Sequence, residues 1–65
     1  MTVDDVRERV ENIRQVAFDD ETAHGMEDDL YIDVLEAIAT GADSPEKLAA
    51  EALKTQEIEF YRWYS

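Results

Sequence analysis

Asp20, Glu21, His24, Glu27, Asp28 and Tyr31 stand close together in the stretch DDETAHGMEDDLY, and His24 is the only histidine of the chain. Imidazole among carboxylates is the donor set of a transition-metal site and of acid–base catalysis. Glu21-x-x-His24 has the Glu-x-x-His spacing of carboxylate-bridged dimetal sites in helical bundles, with Glu27 and Asp28 as further ligands one turn on. Such sites take two histidines, so only a two-fold dimer of this chain could complete one. Catalysis has less support. No Ser-His-Asp order, phosphate-binding glycine loop or cysteine nucleophile can be assembled, and among 17 acidic residues a neighbouring pair carries little information. The chain reads as non-enzymatic, with no catalytic residue, cofactor or metal ligand assigned. Glu21, His24, Glu27 and Asp28 are the candidate ligands of the alternative, a metal-binding bundle.

These residues need a helix to align them. Ala23, Met26, Leu30, Val34, Ala37 and Ile38 recur at gaps of three and four, the period of an amphipathic helix, which predicts a helix over residues 20–39. Asp19 or Asp20 serves as its N-cap and the acidic first turn suits the helix dipole, whereas Gly25 weakens the start by about 1 kcal/mol relative to Ala. Gly41 after Thr40 supplies the left-handed residue that ends it. At 100° per residue the apolar arc runs from Met26 through Leu30 and Val34 to Tyr31 and Leu35. Glu27 falls inside this arc, and Asp20, His24, Glu27 and Tyr31 form one polar line along it.

A helix before and a helix after frame this one. Val3, Val6, Val10, Ile13 and Ala17 form an apolar stripe behind Thr2, with Asp5 completing a capping box, so the first helix covers about residues 2–17. If the first two helices turn back on each other near Asp19, Arg14 comes level with His24 and Arg7 with Tyr31. Glu27 would then be partly buried and paired with Arg14 or His24, because a buried carboxylate without a partner is costly. The polar cluster is therefore Asp20, His24, Glu27, Tyr31 and Arg14. Asp43-Ser44-Pro45-Glu46 signals a third start, with Ser44 as N-cap, and Leu48, Ala49, Ala52 and Leu53 supply the buried face of a helix over 45–54. After Thr55 the apolar pattern loses phase, which predicts a short fourth helix or a kinked extension over 56–64. The fold class is all-α: a single small domain of three helices with that C-terminal addition.

Composition sets the functional bounds. Six Lys plus Arg against 17 Asp plus Glu give a net charge of −11, and between Arg14 and Lys47 ten carboxylates meet no basic residue. Such a field repels nucleic acid and anionic membranes and attracts basic proteins. Direct nucleic-acid binding is disfavoured, although an acidic mimic of nucleic acid is a further alternative. No apolar run of about 18 residues could span a membrane, and the N-terminus lacks a secretory pattern. A soluble, cytoplasmic protein is expected. Phe60, Tyr61, Trp63 and Tyr64 crowd four of the six aromatic residues into five positions, more than a short helix buries alone. They are the candidate interaction surface, for a protein partner or for a second copy in a homodimer.

From Asp19 to Tyr64 the chain resembles a group of short acidic proteins of actinobacteria and their bacteriophages, through D-D-E-x-A-H-x-x-E-D-x-L-Y-x-D-V-L-x-x-I-A and A-L-x-T-x-x-I-x-F-x-R-W. The resemblance rests on Asp20, Glu21, His24, Glu27, Asp28 and Tyr31 together with Phe60, Arg62 and Trp63. It implies a source class, possession by a phage included, and that the two clusters belong together; it implies no mechanism. The function expected is that of a small acidic helical protein acting through protein–protein interaction.

Overall fold

The computed structural model describes residues 1–62. These residues are all-α, without a strand among them: α1 spans Val3–Gln15, α2 Asp20–Ala39 and α3 Pro45–Ala52, and α3 passes directly into a 3-10 turn at Leu53–Glu57. None of the helices is long and apolar enough to cross a membrane.

Each boundary has a local cause. Thr2 and Asp5 form a reciprocal capping box, the Thr2 side chain accepting from the Asp5 amide and the Asp5 side chain accepting from the Thr2 amide. Asp19 caps α2 by accepting from the Thr22 amide. At the other end of α2, Gly41 takes φ 90, its amide donating to Ile38 and the Ala42 amide to Ala37, the two bonds of a Schellman motif. Ser44, expected as a side-chain cap, makes no such bond. It adopts a left-handed conformation, with φ 53, and its carbonyl instead accepts from the Lys47 and Leu48 amides. Pro45 opens α3 as expected, where its missing amide proton is not needed.

Val6, Val10 and Ile13 of α1, Ala23, Leu30 and Val34 of α2, Leu48 and Ala52 of α3, and Ile58 form the core. All three helices meet one another there. Two residues expected on buried faces are largely exposed instead, Leu35 at 65% and Leu53 at 52%. The apolar arc of α2 is wider than the surface its neighbours cover, and the 3-10 turn begins at Leu53, rotating that side chain away from the core.

The segment after Glu57 departs most from expectation. Where a short fourth helix or a kinked extension is expected over 56–64, α3 is prolonged only by the 3-10 turn to Glu57; the chain leaves helical geometry at Ile58, whose φ −86 and ψ 124 are extended, and residues 59–62 run on without regular structure. Ile58 is 4% exposed, so this turn inserts an apolar anchor into the core. A helix through 58–62 would have rotated Ile58 and Phe60 to different faces.

Candidate functional site

The polar line on α2 is occupied by the chain's own C-terminal arm. Arg62 reaches Glu27 with two parallel hydrogen bonds, Nε to Oε1 at 2.9 Å and an Nη to Oε2 at 2.8 Å. The same guanidinium donates to the carbonyls of Thr55 at 2.8 Å and of Ile58 at 3.3 Å, and its carbon sits 3.8 Å from the centre of the Phe60 ring. A bidentate arginine fork suits this geometry better than a lysine could, since one planar group serves a carboxylate, backbone carbonyls and an aromatic face. The carbonyls at the end of the 3-10 turn carry partial negative charge, which adds to the attraction.

Thr55, fully buried, joins the cluster from beneath. Its hydroxyl shares a hydrogen bond with the Tyr31 hydroxyl, and its carbonyl accepts from Arg62. Further along, the Tyr61 amide donates to Asp20 Oδ1 at 3.0 Å. Thr55 against Tyr31 and the Tyr61 amide against Asp20 set the arm antiparallel to α2, and the Arg62 side chain turns back along it to reach Glu27. Burial pushes the Glu27 carboxyl up, but the hydrogen bonds from Arg62 and Thr55 and the charges of Arg62 and His24 outweigh it and hold the group below the usual glutamate range.

Of the expected polar cluster, Asp20, Glu27 and Tyr31 are brought together by the arm. His24 lies on the same line, partly buried, with Nε2 3.5 Å from Asp28 Oδ1. Arg14 is not part of it: its Nε bonds Glu11 one turn back on α1. Arg7 likewise faces α3, where its Nε meets Glu51 Oε1 at 3.1 Å, and Arg9 is the residue that bridges α1 to α2, at 2.6 Å from Asp33. Glu51 is a second buried carboxylate, held low chiefly by the hydrogen bond from Lys54, against burial, with Arg7 assisting.

Glu27 takes its partner not from the adjacent helices, as Arg14 or His24 would have required, but from Arg62, 35 positions away. One signal was present: Arg62 is the only cation after Lys54 and sits inside an aromatic cluster. Phe60 packs on the core with its ring under Arg62, and Tyr61 is exposed. Trp63 and Tyr64, the other members of the expected interaction surface, lie outside the described residues.

The arrangement bears on metal and acid–base chemistry directly. Both Glu27 oxygens are engaged by a guanidinium, which removes the most buried of the proposed ligands, and among the described residues no three His, Asp or Glu side chains converge on one point. The depression beside His24, lined by Phe18, Asp19, Asp20 and Glu21, is wide and open to solvent. A different surface feature stands out. Between α2 and α3 runs an apolar furrow of about 240 Å³ lined by Tyr31, Val34, Leu35, Ile38, Ala49, Ala52 and Leu53. Small alanines on α3 leave the space, and the two exposed leucines form its lips.

No family model, curated protein or solved structure matches the chain.

Proposed function

We propose that this chain is a small, non-enzymatic, acidic helical protein of the cytoplasm that acts by binding a basic protein, of the kind that actinobacteria and their bacteriophages encode. The observation that carries this reading is where the cations go. Arg7, Arg9, Arg14, Lys54 and Arg62 are each taken up in ion pairs within the chain. Of the ten carboxylates between Arg14 and Lys47, only Glu27 and Asp33 meet an Arg or Lys side chain among the described residues. The outer face of α2 therefore keeps Glu21, Asp28, Asp29 and Glu36 exposed without a lysine or arginine to neutralise them. A surface with one sign of charge accelerates encounter with the opposite sign and rejects its own.

Capture of partners on the immobilised protein, at about 0.05 M and about 0.5 M salt, tests this. Basic proteins retained at low salt and released at high salt are the expected result, with weaker retention by the triple variant Asp28→Asn, Asp29→Asn, Glu36→Gln. A retained set with no bias toward basic proteins, or unaffected by the triple variant, overturns the reading.

A further inference from the structure

We infer that the furrow between α2 and α3 is the docking site for an amphipathic, basic helix of that partner. The inference rests on the proposed basic partner and adds where, and as what, it binds. Tyr31, Val34, Leu35 and Ile38 of α2 face Ala49 of α3 and Leu53 across about 240 Å³ of open space. Such a trough takes the apolar ridge of a helix, read as side chains at i, i+3, i+4 and i+7. It is smaller and more open than the ~300–1,000 Å³ cavities that enclose small molecules. Leu35 and Leu53 are 65% and 52% exposed, and Ile32, one turn before Leu35 and Glu36, is 53% exposed. Contiguous apolar side chains of this kind mark an interaction surface.

Charge selects the occupant. By helical spacing, Ile32 is bracketed by Asp28, Asp29 and Glu36, all exposed, so the apolar strip carries an acidic border along α2. A second copy of this chain seated there would oppose two such borders, each on a molecule of net charge −11, and an anionic lipid surface would be repelled in the same way. A helix with leucine-like residues on one face and lysine or arginine beside them satisfies both the furrow and its border. The Tyr31 hydroxyl is held by Thr55, whose carbonyl accepts from Arg62, and the tyrosine forms one end of the trough, so the site is already shaped before the partner arrives.

A fluorescein-labelled peptide of about five helical turns, leucine on one face and lysine elsewhere, tests the proposal against a scrambled peptide of identical composition. Anisotropy titrations should show the amphipathic peptide binding at least about tenfold more tightly, and the Leu35→Ser/Leu53→Ser variant should lose that preference. Ala49→Leu adds apolar area but fills the trough, so it too should abolish the preference, whereas general stickiness would increase with it. Melting curves establish that each variant remains folded. Equal, salt-sensitive binding of both peptides would remove the furrow while leaving a basic partner standing. No binding of either would remove both readings. If sedimentation finds a dimer that Leu35→Ser/Leu53→Ser converts to monomer, the occupant is a second copy and the proposal falls.

Discussion

Glu27 is 3% exposed and Arg62 is the only Arg or Lys side chain paired with it among the described residues, which makes each residue's stability depend on the other. Removing one member of a buried pair is costly because the charge left behind is neither hydrated nor matched; replacing both by apolar groups is often nearly neutral. Arg62→Ala is therefore expected to lower the unfolding free energy by about 3 kcal/mol in urea titration, and Glu27→Met/Arg62→Met by about half of that or less. Equal losses for the single and double variants would mean that the pair is incidental and packing of the arm dominates. The same pair has a pH signature. The folded Glu27 carboxyl sits below its unfolded value, so its contribution is fully present above about pH 4.3 and is lost as pH falls through the folded value. Glu27→Gln should flatten the acid limb of the stability curve in that window and leave the neutral region without added pH dependence. That Glu27 needed a partner was legible from its place within an apolar arc. Which partner was not, because a contact between residues 27 and 62 depends on a chain reversal that helical periodicity does not encode.

At the scale of elements, capping chemistry was the most readable feature. Thr2 with Asp5, Asp19 and Gly41 act through bonds within a few positions, and Pro45 through its own ring, so their effects are decided by local sequence. For the C-terminal arm the sequence leaves a short fourth helix and a kinked extension open, since its aromatic residues have no fixed local preference. Its course is set by Ile58 entering the core and Arg62 reaching Glu27, both long-range contacts. Gly25 and Gly41 offer a paired test of the local part. A Cβ at either position meets nothing within 4 Å, so packing cannot distinguish them. Gly25 is an exposed position inside α2, and Gly25→Ala is expected to raise stability by about 1 kcal/mol through helix propensity. Gly41 holds φ 90, where alanine is strained, and Gly41→Ala is expected to lower it by a similar ~1 kcal/mol. In a domain of this size each shift is on the order of 5 °C in melting temperature, in opposite directions. A loss on Gly25→Ala would show that the first turns of α2 require a conformation other than a regular helix.

Across the whole molecule the balance is between a few internal ion pairs and a large excess of like charge. The described residues extend 33 × 24 × 14 Å, which is close to the Debye length of about 30 Å at 0.01 M salt and well beyond the ~8 Å at 0.15 M. At low salt, then, every unpaired carboxylate repels the others through most of the fold, and unfolding relieves that repulsion by spreading the charges apart. Added salt screens this long-range term before it weakens the Glu27 and Arg62 pair, which is shielded from solvent. The exposed pairs, such as Arg14 with Glu11, are screened as well, but each contributes at most about 1 kcal/mol. Repulsion among eleven excess charges outweighs them. Melting temperature should accordingly rise, by about 5 °C or more, between roughly 0.01 M and 0.5 M sodium chloride. Asp28→Asn/Asp29→Asn/Glu36→Gln, which removes three charges from the uncompensated face of α2, should melt higher than the parent at low salt and respond less to its addition. A melting temperature that falls with salt would place the stability of the fold in its surface ion pairs and sink this account of its charge.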